Sequence, residues 1–173
     1  MTGTPSIRAA RAADTPAIDA LLARSYPRLL KADYPPSVLV TALPRIARAN
    51  PALVASGRYY VVEDAAGRLL GAGGWSFAGP GGGGGGAGRP GAVAHVRHVA
   101  TDPDALRRGV GRALMRHVTG AARAEGVRRL DCLSTRTAVA FYAALGFEAL
   151  GEVTVALAPG VVFPAVRMRL ALA

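Results

Sequence analysis

A strand that runs through a short loop into a helix opening on Gly109-Val110-Gly111 sets the frame for this chain. Residues 92–101 read as the strand. The run Arg107-Arg108-Gly109-Val110-Gly111-Arg112-Ala113-Leu114 then opens a helix over 108–126, with Val110, Ala113, Leu114, Val118, Ala121 and Ala122 on one face. A helix start presents unpaired N–H groups and the positive end of a dipole. Gly109 and Gly111 remove side chains that would keep an anion from those amides. Arg107, Arg108 and Arg112 add charge-assisted contacts suited to phosphate oxygens. The local chemistry is that of a pyrophosphate site, and by itself it names no ligand.

The rest of the chain supplies a mixed α/β framework. Residues 7–10 read as a first strand, and Asp14 or Thr15 caps a helix that Pro16 starts, with Ile18, Leu21 and Leu22 on its apolar side. A second helical stretch covers 37–50, where Pro44 removes a backbone donor and is expected to bend or split it. Strands at 58–63 and 69–76 form a hairpin through Asp64 and Gly67. Residues 79–91, with consecutive glycines from 81 to 86, read as a flexible linker loop. A strand at 129–134 and a helix at 135–145 stopped by Gly146 follow, then a hairpin of 148–157 and 161–170 around Ala158-Pro159-Gly160. The predicted order is β-α-α-β-β-β-α-β-α-β-β, one α/β (α+β) domain over residues 1–173 with helices flanking a mixed sheet.

Composition narrows the classes. At 51% apolar residues over 173 positions the chain can bury one sizeable core. No apolar run approaches the ~20 residues of a membrane-spanning helix, and residues 1–8 lack a secretory apolar stretch. Cys132 is the only cysteine and cannot form an internal disulfide, so a cytoplasmic home is expected. The net charge of +10 attracts anions, yet the positive charge is scattered arginine, with Lys31 the only lysine. That distribution lacks the clustered basic and aromatic character of a nucleic-acid module. A P-loop is excluded because no Gly-Lys pair occurs. A dinucleotide fingerprint fails because Leu114 stands where its third glycine belongs, although Asp131 lies near the expected acidic position.

Two motifs in order carry a resemblance. Leu106-Arg107-Arg108-Gly109-Val110-Gly111 matches Gln/Arg-x-x-Gly-x-Gly/Ala except at its first position. The run from Thr135 through Ala138, Phe141 and Tyr142 to Gly146-Phe147 matches Asn-x-x-Ala-x-x-Phe-Tyr-x-x-x-Gly-Phe except at Thr135. Over residues 92–147 the chain resembles the GNAT superfamily of acyl-CoA-dependent N-acyltransferases. The resemblance implies acetyl-CoA as co-substrate, no metal, and transfer of an acetyl group to a primary amine by direct attack. It implies a cofactor site of Val99, Ala100, Thr101, Arg107, Arg108, Gly109, Val110, Gly111, Arg112, Ala113, Thr135, Ala138 and Tyr142. Thr135 stands for an asparagine that holds the cofactor arm, and its hydroxyl can instead cap the helix.

Roles follow from the same resemblance. The arm pairs with the strand at 92–101, the Val99 N–H polarises the thioester carbonyl, Tyr142 protonates the departing thiolate, and His95 matches the position of a base. Strict alternation would put His95, Arg97 and Val99 on one face and His98 on the other. The residues alone leave His95 open between base and packed strand histidine, and Tyr142 open between acid and core aromatic. His117 reads as surface, and Cys132 as a buried, inert thiol. The segments 26–34 and 161–166 would shape an apolar acceptor pocket, pointing to a small amine, though a protein amine stays open, as does monomer or homodimer. A non-catalytic acyl-CoA sensor is the alternative function.

Overall fold

Two apolar helical stripes with opposite destinations organise this molecule. The structure is a computed structural model and describes residues 3–80 and 92–173; most of the glycine loop expected at 79–91 therefore lies outside the described residues. The strands are β1 (Ser6–Ala9), β2 (Tyr59–Glu63), β3 (Leu69–Ser76), β4 (Ala92–Thr101), β5 (Val127–Ser134), β6 (Glu148–Ala158) and β7 (Val161–Ala171). They form a mixed sheet in the order β1-β2-β3-β4-β5-β7-β6, in which β4 and β5 are parallel and the other described pairs antiparallel. The helices are α1 (Thr15–Leu30), α2 (Pro36–Ile46), α3 (Pro51–Val54), α4 (Val110–Ala124) and α5 (Val139–Ala144). The order agrees with the sequence expectation, with α3 as an added turn.

In α1, Ile18, Leu21, Leu22 and Ser25 are buried at helical spacing, and the apolar members pack with Val61, Ala72 and Ala100 on one sheet face. In α4, Val110, Leu114, Met115, Val118 and Ala122 are buried against Leu70, Trp75, Val96 and Leu130 on the other. A smaller cluster joins Leu30, Tyr34, Leu39 and Ala42 to Phe163 of β7. Leu114 has no exposed surface, so Leu114→Ala should cost roughly 2–5 kcal/mol through lost burial and the cavity left behind. No helix among the described residues is long and apolar enough to cross a membrane.

Two expectations need correction. Pro44 does not split its helix: α2 runs unbroken to Ile46, short of the expected 50, and the carbonyl that loses its helical donor is that of the exposed Val40. The helix expected over 135–145 begins as a 3₁₀ turn, Arg136–Ala138, and becomes α-helical from Val139. Gly146 is left-handed at φ 97°, as a helix-ending glycine should be.

The sheet is interrupted in one place that matters. β4 pairs with β5 from Ala92↔Val127 to His95↔Asp131, and there the pairing ends. β5 continues beside β7 through Cys132↔Met168 to Ser134↔Val166. On its other edge β4 slips by one residue against β3, from Gly74↔Arg97 to Ala72↔Ala100. His98 and Val99 thus oppose Gly73 alone, and His98 takes a positive φ of 46°. A Cβ on Gly73 would lie 2.8 Å from Val99 Cγ2 and 3.2 Å from Leu114, so only glycine admits this bulge beneath α4.

Candidate active site

Where β4 and β5 part, the sheet opens into a cavity of about 300 Å³. Val99, Ala100 and Thr101 border it on β4, Cys132 and Ser134 on β5, and Tyr26 of α1 and Tyr142 of α5 close its sides. Strand separation exposes backbone that a continuous sheet would have paired, and an extended ligand arm can use it. Val99 has no Cα partner in the β3 register and lies past the end of the β5 pairing. Thr135 and Ala138, both cofactor candidates, also line this space.

The pyrophosphate candidates lie beyond this enclosed part, with exposed Leu106 at the junction. The first intrahelical bond of α4 runs from the Ala113 N–H to the Gly109 carbonyl at 2.9 Å. The amides of Val110, Gly111 and Arg112 precede it and are the helix's orphan donors, whereas the Ala113 amide is committed to the helix. Arg107, Arg108 and Arg112 are exposed around this start. Three amides, the helix dipole and three guanidinium groups suit a diphosphate dianion.

The structure gives each of the two glycines a reason of its own beside the expected access for an anion. Gly109 is left-handed at φ 76° with nothing within 4 Å of a built Cβ, so its requirement is conformational. A Cβ on Gly111 would stand 3.0 Å from the Phe141 ring and 3.3 Å from Thr101 Oγ1. Glycine there lets α4, α5 and the end of β4 close on one another.

Tyr142 is 5% exposed and sits edge-on to both Phe141 and Phe147. Burial pushes its phenol well above the usual tyrosine range, and Cys132 and Tyr26 add to the shift. The Cys132 thiol is pushed up to about 12 by burial, partly offset by the Tyr142 hydroxyl. Cys132 is therefore a protonated, inert thiol at neutral pH, as the sequence suggested.

The histidines depart from strict alternation. Val96 and Val99 both pack with the α4 cluster, whereas Ala100 packs with the α1 cluster. The bulge residue has changed parity, so His95 and Arg97 do not share the Val99 face. His98, expected to face away, instead lines the cavity with Val99 and Tyr142. Burial, with Arg97 adding, lowers His98 to about 4. His95 lines a neighbouring cavity of about 350 Å³ with Asp131 and Arg167, separated from the first by the shared residues Val96, Cys132 and Leu133. Burial moves His95 below the usual histidine value, Asp131 opposing and Arg97 and Arg129 adding. His117 is exposed and edge-on to Tyr60 at 4.5 Å.

Several supporting residues carried no sequence signal. Asp102 is fully buried and accepts from Arg24 Nη2 at 2.8 Å, Arg68 Nη2 at 2.9 Å and the Asp104 N–H at 2.9 Å. It fastens the loop between β4 and α4 to α1 and to the β2–β3 turn. Ser25 Oγ donates to the Thr101 carbonyl at 2.8 Å. Tyr34 was expected to shape an acceptor pocket, but it stacks on Phe163 at 4.6 Å, donates to the Pro164 carbonyl and accepts from the Arg136 N–H. It locks the turn that Thr135 caps through the Ala138 N–H at 3.2 Å.

Comparison with known proteins gives this geometry a context. A family described as Acetyltransferase (GNAT) domain matches residues 55–149, more than half the chain and the span that holds both motifs. A GCN5-related N-acetyltransferase from Rhodopseudomonas palustris has a TM-score of 0.75 at 22% identity, covering 99% of this chain and 98% of that one. PaiA N-acetyltransferase from Thermoplasma acidophilum, in complex with coenzyme A, gives 0.66 at 10%, covering 98% and 100%. N-acetylglutamate synthase from Neisseria gonorrhoeae, complexed with coenzyme A and N-acetyl-glutamate, gives 0.61 at 19%, covering 99% of this chain and 36% of that one. At these identities the three structures establish a shared fold. With its sheet order, its parted β4 and β5 and its glycine-opened α4, this chain belongs to the GNAT acetyltransferase family.

Proposed function

We propose that this protein moves the acetyl group of acetyl-CoA to a primary amine by direct attack at the opening between β4 and β5. The observation that carries the reading is the end of the β4–β5 pairing at His95↔Asp131, which opens a cavity bordered by both Val99 and Tyr142. The amides of Val110, Gly111 and Arg112, with Arg107, Arg108 and Arg112, would hold the pyrophosphate of CoA. The pantetheine arm would run along Val99, Ala100 and Thr101, past Ala138 and the capping Thr135.

In the transfer the amine nitrogen bonds to the thioester carbonyl carbon and the carbon–sulfur bond breaks. The Val99 N–H is the donor assigned to the oxygen on which charge develops. His95, held below its ordinary pKa and so neutral at pH 7, receives the ammonium proton, through water where direct reach is lacking. The weakly basic His98 is the poorer choice, because a base near 4 has little driving force for that proton.

Tyr142 supplies a proton to the leaving sulfur, and the second proton that the nitrogen sheds on becoming an amide restores the Tyr142 hydroxyl by way of water. Its raised pKa keeps the hydroxyl protonated through the physiological range but makes it a weaker acid than phenol in water. The same surroundings raise the neighbouring Cys132 thiol to about 12. A departing thiolate in that apolar space is likewise a stronger base than in water, which narrows the mismatch between donor and acceptor.

The test is release of free CoA thiol from acetyl-CoA across a panel of primary amines. Amine-dependent release supports the transferase. CoA binding without release for any amine would make the protein a non-catalytic acyl-CoA sensor.

A further inference from the structure

The cavity beside His95 lies on a sheet face with an unusual balance of charge. Pairing places His95 beside Asp131, and Asp131 beside Arg169. Alternation adds Arg97, Arg129 and Arg167 to the same face. Towards its other end this face is covered by α1 and α2 over Ala100 and Phe163; the arginines lie past that cover.

Four arginines here face two carboxylates. Asp131 is engaged by Arg169 Nε at 2.9 Å and Arg129 Nε at 3.2 Å. Glu148 stands opposite Arg169 on β6. Arg97 and Arg167 have no carboxylate partner among the described residues. Arg97 is held by neutral acceptors, Ser76 Oγ at 2.9 Å and the Ala78 carbonyl at 3.3 Å. Its burial without a counter-ion moves its guanidinium below the usual arginine value. Arg167 is exposed on β7 and lines the cavity with His95.

We propose that the acceptor is a small amine that also carries an oxyanion group, a carboxylate or a phosphate, bound by Arg167 in the cavity beside His95, with Arg97 adding positive charge on the same sheet face. The inference rests on the transferase reading of this site and specifies its substrate class. A planar guanidinium donates two parallel hydrogen bonds to such a group and leaves the amine free to reach His95. The cavity of about 350 Å³ is of a size for an amino acid rather than a large ligand. Polyamines are disfavoured, because their charge repeats the sign already in excess on this face.

The experiment compares thiol release with the common L-amino acids, their α-carboxamides, phosphoethanolamine and spermidine, in wild type, Arg167→Met and the Arg97→Met/Arg167→Met pair. Ligand-detected nuclear magnetic resonance with the same compounds in the presence of CoA reads binding without turnover. At least one oxyanion-bearing amine should exceed its neutral counterpart by roughly tenfold or more in kcat/KM. That preference should collapse in Arg167→Met with CoA affinity retained as the folding control. Preference for amino acids assigns a carboxylate, and preference for phosphoethanolamine assigns a phosphate. Equal or better use of carboxamides or spermidine, or a preference indifferent to both variants, overturns the proposal while leaving the transferase intact. If no amine releases thiol, the transferase reading fails, and binding decides the recognition claim. Oxyanion-selective binding lost in Arg167→Met upholds it, and charge-blind or absent binding overturns it.

Discussion

His95 and Asp131 are the last Cα partners along the parallel pairing of β4 and β5. One residue further, Val96 and Cys132 already line the space between the strands. Val96, Cys132 and Leu133 line both that space and the polar cavity beside His95, so three side chains stand between the two.

Gly109 and Gly111 should respond differently to substitution. Gly109→Ala meets no atom but forces an L side chain into the left-handed region, costing about 1–2 kcal/mol. Gly111→Ala presses on Phe141 and should cost about 1–3 kcal/mol, part of which Phe141→Leu restores. Denaturant unfolding of the singles and the double variant measures the coupling. CoA affinity should fall at least roughly tenfold in Gly111→Val, about 1.4 kcal/mol. Additive stabilities would contradict the contact.

Asp102 anchors the loop that presents the helix start. Burial alone would raise its pKa, but the Asp104 amide, Arg24 and Arg68 outweigh that and hold the carboxyl below its ordinary value. Its contribution is full above the unfolded pKa of ~3.9 and disappears as pH falls through the lower folded value. Asp14, held at about 2 chiefly by its hydrogen bond to Arg8, acts in the same window. Asp102→Asn should lose about 1–3 kcal/mol at neutral pH and lessen the loss of stability in acid. An unchanged acid profile would show that the charge is not what fastens the loop.

Much of this was legible because it is local. Gly146 announces a left-handed helix end, and the Tyr142 frame identifies a short helix at a fixed distance from α4. The bulge at His98 and Val99 was not legible, since its cause is Gly73 on another strand. One extra residue was enough to invert the facing of the histidines. Asp102 was invisible for a related reason: Arg24 and Arg68 reach it only through the tertiary fold. The arginine face looks scattered in sequence because three strands contribute to it.

Tyr142→Phe keeps the ring packed between Phe141 and Phe147 and deletes only the donor. Removing a general acid costs 10²–10⁴-fold in general, but a CoA thiol near ~8.5 by analogy with cysteine is a fair leaving group. We expect a loss of about 10–100-fold in kcat with CoA affinity nearly unchanged. Cys132→Ala should retain turnover, because a thiol at about 12 is no nucleophile at neutral pH. Full activity in Tyr142→Phe would make Tyr142 a core residue. Loss of turnover in Cys132→Ala, with folding intact, would reopen a covalent route.

His95 should set an acid limb in the pH–rate profile. The neutral imidazole is the competent form, and its pKa lies below the ordinary ~6.5. Activity should therefore fall as pH drops through a midpoint under that value. His95→Gln should remove this limb and depress the rate mainly below the acceptor's pKa, with partial recovery as pH rises. A limb that persists in His95→Gln would assign the proton to another group.

Direct transfer requires both substrates to be bound together, and initial velocities measured against acetyl-CoA and an active amine test that claim most directly. Double-reciprocal lines should intersect at varied fixed amine, with thiol release absent until the amine is added. Parallel lines, or a burst of thiol from acetyl-CoA alone, would mean an acetylated enzyme and would contradict direct attack at the opening between β4 and β5.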